Sequence, residues 1–271
     1  MRTVLPASWL WTTLGLAVLA AFVKAFGAFA PGTYRDPLWT ASQLRGADVV
    51  ALFTLVPLLG VSALWARRGG PRGLLVWLGA LHVLVYDVTF YLYGAAFNAW
   101  FLAYAALVAG GVVLLVAALY GSDLEAVGRG FDAATPHRWP AAVLAVLGVG
   151  LGGVWLAQAI AYLASGTLPS SVAASGHPTA VVFAVDLTLL VPFFLLGAVG
   201  LWRRRPWGRV VAVVVSVSGA TYTLLLAGMG LAADPSVVEG ASLLVPLWLT
   251  LGVASAVVAV VLLRHAPSRT S

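Results

Sequence analysis

Four ionisable residues lie within strongly apolar stretches of this chain, where a charge is costly: Lys24, Asp48, Asp87 and Asp186. A charge at the centre of a membrane helix costs roughly 2.5–3.5 kcal/mol on insertion scales, so each is a candidate functional residue. A carboxylate in a low-dielectric pocket can take up and release protons. If Asp87 and Asp186 face each other, Lys24 would determine which stays ionised. The chemistry predicted is a proton relay or a polar ligand pocket.

Two polar stripes run along the third apolar stretch. Each has the i, i+4, i+7, i+11 spacing of one helix face, and about 140° separates them. The first stripe consists of His82, Tyr86, Thr89 and Tyr93, and the second of Asp87, Tyr91, Gly94 and Asn98. A helix with two polar faces cannot turn both to lipid, so we expect this one to be central. The predicted substrate-binding residues are Asp87, Asp186, Lys24, His82, Tyr86, Tyr91, Tyr93 and Asn98.

Each candidate also has a purely structural interpretation. Asp87 could pair with Lys24 and hold helices together. Asp48 could be an interfacial residue at the start of a helix, and Asp186, just before a proline, could buttress a kink. His82 is near mid-membrane, where a neutral hydrogen-bonded histidine is commoner than a ligand. The tyrosines could pack between helices or anchor the membrane interface.

The composition identifies the class of protein. Of the 271 residues, 62% are hydrophobic and 9% charged, and the mean hydropathy is +1.00. Soluble domains carry about 25% charged residues, so a soluble enzyme, a disordered chain and a nucleic-acid-binding domain are excluded. The net charge of +6 comes from arginines, because Lys24 is the single lysine. Such an excess is typical of the cytoplasmic loops of a membrane protein.

Eight stretches are long and apolar enough to span a bilayer, which predicts an all-α integral membrane protein. Their predicted bounds are Ala7–Ala30, Val49–Ala66, Leu74–Phe97, Ala99–Tyr120, Ala141–Ala164, Ala180–Trp202, Val210–Leu231 and Ala241–Leu263. The first could instead be a signal peptide. Its apolar run is longer than a signal core and Lys24 interrupts it, which favours a retained anchor.

The arginines predict the orientation. Alternate loops and both tails together hold twelve basic residues: Arg2, Arg67, Arg68, Arg72, Arg129, Arg138, Arg203, Arg204, Arg205, Arg209, Arg264 and Arg269. The opposite loops hold Arg35 and Arg45 alone. The positive-inside rule then places both termini in the cytoplasm, with an even number of crossings. The buried charges all fall in the outer half, which suggests a pocket open to the outside.

An internal repeat links the second and sixth stretches. Residues Leu58–Arg68 match Leu195–Arg205 at seven of eleven positions without a gap. The repeat predicts two parallel four-helix halves, residues 1–120 and 141–271, joined by a cytoplasmic loop at 121–140. A binding site would then be expected at the interface of the halves. The alternative is convergence, since a tryptophan followed by arginines is a common interfacial anchor.

Three segments resemble a group of bacterial multi-pass membrane proteins that share the actinobacterial-type bias towards Ala, Val, Leu, Arg and Gly. These are residues 47–57, residues 86–104 with the core Phe97–Leu102, and residues 186–208. The resemblance spans most of the chain and implies the eight-span architecture. It brings no assigned activity with it.

The predicted function is a small-molecule transporter or ligand-binding membrane protein, with proton coupling through the aspartates as a secondary prediction. One alternative is a membrane enzyme acting on a lipid or quinone-like substrate, with Asp87 or His82 as general acid and base. Another is an accessory subunit whose partner contacts the loop at 121–140. We predict no cofactor and no metal, because the chain has no cysteine and no two of its four histidines have ligand spacing on one helix.

Overall fold

The structure is a computed structural model that describes residues 4–234, 236 and 241–268. These residues form an all-α fold with eight helices long and apolar enough to cross a membrane, as predicted. In chain order, spans 1 to 8 are Ala7–Phe29, Leu38–Arg67, Pro71–Gly94, Phe101–Gly121, Arg138–Ser165, Val181–Trp202, Pro206–Ala232 and Ser242–His265. The protein is therefore a polytopic membrane protein. Arg2 and Arg269, used in predicting the orientation, lie outside the described residues.

Span 2 begins at Leu38, well before the predicted start at Val49. Gln43, Arg45 and Asp48 lower the hydropathy of its first turns, yet the helix continues through them. Asp48 consequently lies inside the helix with 0% of its surface exposed. The interpretation of Asp48 as an interfacial helix-start residue was wrong.

Two spans are interrupted near a proline. Span 2 consists of helices Leu38–Phe53 and Leu55–Arg67, and span 6 of helix Val181–Val185, the π-helical turn Asp186–Leu190 and helix Val191–Trp202. At the interruptions Thr54 and Leu190 have φ angles of −121° and −115°. Pro57 and Pro192 follow within three residues. Because proline has no N–H and clashes with the preceding turn, both interruptions have the same physical cause.

Spans 3 and 7 form the centre of the bundle. Twenty of the 24 residues of span 3 and fifteen of the 27 of span 7 are buried. The two helices approach closely where a β-carbon on Gly79 would lie 2.6 Å from Cβ of Val217. The central position predicted for span 3 is confirmed.

Arginines donate hydrogen bonds to carbonyls at helix ends on one face of the bundle, here termed the arginine-rich face. Arg72 donates to the carbonyl oxygens of Ala266 and Arg264 at the end of span 8, at 3.0 and 2.9 Å. Arg209 donates to the Gly128 carbonyl at 3.0 Å. These carbonyls lie near helix C-termini, where oxygens lack partners and the helix dipole favours a cation.

The connection at 121–140 lies on the arginine-rich face and contains a short helix, Leu124–Arg129. Its Val127 and Phe131 are buried in the protein, with 0% and 5% of their surfaces exposed. Gly128 lies so close to Pro206 that a β-carbon there would overlap the Pro206 backbone. The connection is thus packed onto the start of span 7.

Candidate functional site

A buried lysine joins two aspartates from different spans. Lys24 on span 1 is 1% exposed, and its Nζ lies 3.1 Å from Asp48 Oδ1 on span 2. The same Nζ lies 2.8 Å from Asp87 Oδ2 on span 3. One ammonium therefore links the first three spans. The pairing of Asp87 with Lys24 is the arrangement that its structural interpretation predicts.

Two tyrosines complete this group. The Tyr34 hydroxyl donates to Asp48 Oδ2, and the Tyr91 hydroxyl donates to Asp48 Oδ1 at 2.8 Å. Lys24 Nζ also lies 3.6 Å from the centre of the Tyr91 ring, a cation–π contact. We term Lys24, Asp48, Asp87, Tyr34 and Tyr91 the lysine cluster. Burial and the neighbouring Asp48 carboxylate raise the pKa of Tyr34, which precedes span 2, so its hydroxyl stays a donor.

A second buried carboxylate, Asp186, has different partners. It begins the π-helical turn of span 6 and has 0% of its surface exposed. Tyr86 donates to its Oδ1 at 2.6 Å, and the indole Nε1 of Trp155 donates to its Oδ2 at 2.7 Å. Tyr222 lies 3.2 Å from Oδ2. We term Asp186, Tyr86, Trp155 and Tyr222 the Asp186 cluster; it joins spans 3, 5, 6 and 7.

The charge balance distinguishes the two clusters. In the lysine cluster one ammonium, that of Lys24, lies within 4.0 Å of both carboxylates. In the part of the chain that the structure describes, no lysine or arginine nitrogen lies within 4.0 Å of the Asp186 carboxylate. Three neutral donors hold Asp186 instead.

Asp87 and Asp186 belong to separate clusters rather than to one facing pair. Span 3 supplies Tyr86 to one cluster and Asp87 to the other. Consecutive residues of an α-helix point about 100° apart, so the same turn can serve both clusters. Span 3 therefore lies between the two clusters.

His82 bonds to a serine and to neither aspartate. Its Nδ1 lies 3.0 Å from Ser218 Oγ on span 7, and that hydroxyl also lies within 3.0 Å of the carbonyls of Gly79 and Val214. The hydrogen bond between His82 Nδ1 and Ser218 Oγ joins the two central helices.

Besides His82, two predicted site residues lie outside both clusters. Tyr93 has 70% of its surface exposed. Asn98 organises the turn between spans 3 and 4, where its Nδ2 donates to the Ala96 carbonyl at 3.1 Å and its Oδ1 accepts from Trp100 N at 2.9 Å. The spacing of a stripe shows which residues share a helix face, but not which of them other helices bury. The sequence therefore could not distinguish Tyr93 and Asn98 from Tyr86 and Tyr91.

A cavity of about 350 Å³ lies beside the Asp186 cluster. It lies towards the face opposite the arginine-rich face, where Ser171, Ser175 and His177 form part of its wall. Residues of span 2, span 3 and spans 5 to 8 line it. Its aromatic wall consists of Trp39, Phe90, Trp155, Phe183, Tyr222 and Trp248. Among the described residues that line it, none is Asp, Glu, Lys or Arg.

Sequence reasoning missed Trp155, which both lines the cavity and bonds to Asp186. The indole ring stacks on Phe183 with ring centres 4.3 Å apart, which orients Nε1 towards the carboxylate. A single tryptophan in an apolar stretch is also typical of an interfacial anchor, so its type alone gave no signal.

Comparisons with known proteins assign no family to the chain. No protein-family model, no curated protein and no solved structure matches it. The function must therefore be argued from the two clusters and the cavity.

Proposed function

We propose that this polytopic membrane protein binds a small molecule in the cavity beside Asp186 and transports it across the membrane. The observation that carries the proposal is the cavity itself. Its volume of about 350 Å³ lies in the range of small-molecule sites, and its walls are largely apolar with a few polar groups. Two of its wall residues, Trp155 and Tyr222, also bond to the buried carboxylate.

The interrupted helix beside the cavity favours transport over binding alone. The π-helical turn begins at Asp186, and Val182 and Phe183 in the preceding turn line the cavity. π-Helical turns are frequent at functional sites, and many transporters bind substrate at discontinuous helices. A change of bend at this turn would move Asp186 relative to Tyr222 on span 7. The cavity and the carboxylate would then change together.

The proposal places the arginine-rich face in the cytoplasm of a bacterial cell. Arg35 and Arg45 are the basic residues assigned to the opposite loops and turns, so the positive-inside rule supports this orientation. The cavity then opens to the outside of the cytoplasmic membrane. Proton coupling would follow if ligand and proton compete for the one carboxylate at Asp186.

The two halves are proposed to be a parallel repeat, supported by matching positions in the two clusters. In each half the first span supplies an N–H donor to the aspartate, from Lys24 or Trp155. In each half the aspartate itself lies on the second, interrupted span. The third span is the central one of each half, and it supplies a tyrosine donor, Tyr91 or Tyr222.

Cysteine labelling tests the proposed function, because the natural chain contains no cysteine. Gln43 lines the cavity, whereas Ser62 on the same span is completely buried. A membrane-impermeant maleimide added to intact cells should modify Gln43→Cys and leave Ser62→Cys unmodified. Modification only after the cells are permeabilised would contradict the orientation. No modification of Gln43→Cys in either condition would contradict an open cavity and with it the proposed function.

A further inference from the structure

An ionised Asp186 carboxylate has no counter-charge beside it among the described residues. Burying an ionised carboxylate is costly unless an opposite charge or hydrogen bonds compensate it. Tyr86, Trp155 and Tyr222 satisfy its oxygens, but all three are neutral donors and leave its charge in place. In the lysine cluster one cation, Lys24, lies beside each of the two carboxylates. Within the described residues, Asp186 has no such counterpart.

The cavity lies directly behind two of these donors. Trp155 and Tyr222 bond to Asp186 through their polar atoms, and their rings line the cavity. A ligand in the cavity is thus separated from the carboxylate by the thickness of the aromatic residues. At such a distance, in surroundings less polarisable than water, a charge on the ligand interacts strongly with Asp186.

The aromatic wall suits a particular ligand chemistry. Six aromatic side chains line the cavity, and the faces of indole and phenol rings attract cations. Quaternary ammonium groups are recognised by aromatic cages of this kind. Among the described lining residues none is Asp, Glu, Lys or Arg, and most are apolar. The rest of the ligand should therefore be apolar.

We infer that the ligand of this cavity is a lipophilic organic cation, an ammonium group with aromatic or alkyl substituents, balanced by Asp186 and enclosed by the aromatic wall. The inference rests on the proposed function, because it identifies the ligand class of the same cavity. A neutral ligand would leave the charge of Asp186 uncompensated, and an anion would be repelled by it.

The test uses a matched pair of probes that differ in charge and hardly in shape. Phenyltrimethylammonium is the cation, and tert-butylbenzene is its neutral isostere. Each is added to full-length Gln43→Cys protein, and the rate of maleimide modification is measured as the probe concentration rises. The cation should slow modification at a concentration about 10- to 30-fold lower than the neutral probe, as expected for loss of the cation–π and charge interactions.

Asp186→Asn and Asp87→Asn, each made in the Gln43→Cys protein, locate the interaction. Protection by the cation should weaken about tenfold or more in Asp186→Asn and be retained in Asp87→Asn, whose carboxylate belongs to the lysine cluster. An unchanged rate without probe shows that the Asp186→Asn cavity is intact. If that rate changes, the organic-cation inference is tested by the comparison of the two probes on the Gln43→Cys protein alone.

The outcomes separate the inference from the proposed function. Equal protection by both probes, protection by neither, or full protection in an intact Asp186→Asn protein would overturn the organic-cation inference. In each of these cases Gln43→Cys is still modified from outside, so the open cavity is kept and the proposed function is not contradicted. Absence of modification at Gln43→Cys without any probe would overturn both.

Discussion

The lysine cluster and the Asp186 cluster stabilise a buried aspartate carboxylate in two different ways. In each cluster an aspartate on an interrupted span is completely buried, and tyrosine hydroxyls donate hydrogen bonds to its carboxylate. The third donor differs: Lys24 is charged, whereas Trp155 is neutral. The lysine cluster contains a cation of its own, whereas the Asp186 cluster lies beside a cavity in which we propose that a cationic ligand binds.

We propose that this difference separates a structural site from a binding site within one bundle. The lysine cluster links spans 1, 2 and 3, and each partner there stabilises the others. Removing Lys24 would leave two buried carboxylates without a cation, and breaking a buried ion group in this way is strongly destabilising. Asp186 has no ionic partner among the described residues, so we expect that its carboxylate can be changed with little effect on folding.

The largest effect is expected for Lys24→Met, which leaves Asp48 and Asp87 close together without a cation. Breaking a buried ion group of this kind costs about 3–5 kcal/mol. Thermal unfolding of the purified protein, or the yield of monodisperse protein, measures the loss. A Lys24→Met protein as stable as the wild type would show that the cluster is not structural.

A triple variant provides the control for this prediction. Lys24→Met combined with Asp48→Asn and Asp87→Asn removes all three charges at once. Replacing a buried ion group by uncharged residues is often neutral, so the triple variant should recover much of the lost stability.

An intermediate effect is expected for Gly27→Ala on span 1. A β-carbon at position 27 would overlap the Asp48 carboxylate and the Tyr34 hydroxyl, so it displaces the lysine cluster. Overpacking of this kind costs about 1–3 kcal/mol. Gly15→Ala on the same helix is the matched control, because nothing lies within 4 Å of its β-carbon. Equal unfolding midpoints for the two variants would contradict the geometry described for the cluster.

The smallest effect is expected at His177 in the cavity wall, outside the spans. Partial burial lowers its pKa below the ordinary 6.5, and the Asp36 carboxylate partly opposes this. The folded state therefore binds the proton less well than the unfolded state, so stability is lost as the pH falls below about 6.5. Unfolding midpoints at about pH 7.5 and 5.5 should fall further for the wild type than for His177→Gln. An equal fall in both proteins would show that His177 does not contribute.

The fold could be predicted from the sequence much further than the site. Apolar length is a local property, so eight spans could be counted, and the two polar stripes placed span 3 at the centre. The start of span 2 was missed because Gln43, Arg45 and Asp48 interrupt its apolar pattern, although neighbouring spans bury Asp48.

The pairing of the charges could not be predicted, because it depends on how the helices rotate about their axes. Tyr86 and Asp87 are adjacent in sequence but belong to different clusters. Lys24 was expected to influence both Asp87 and Asp186, whereas it bonds to Asp48 and Asp87. The cavity is lined by side chains from six spans. The residue pattern along one helix does not show which other helices pack against it, so the cavity could not be predicted.

The most direct test of the difference between the clusters is the thermal unfolding midpoint of three ligand-free proteins in the same detergent. These are the wild type, Asp186→Asn, and the double variant Asp48→Asn with Asp87→Asn. We predict that Asp186→Asn unfolds within about 1 kcal/mol of the wild type, since the lost charge-assisted bonds are offset by the removed burial cost. The double variant leaves Lys24 alone and should lose several kcal/mol. An Asp186→Asn protein destabilised as strongly as the double variant would contradict the distinction between a structural and a binding carboxylate.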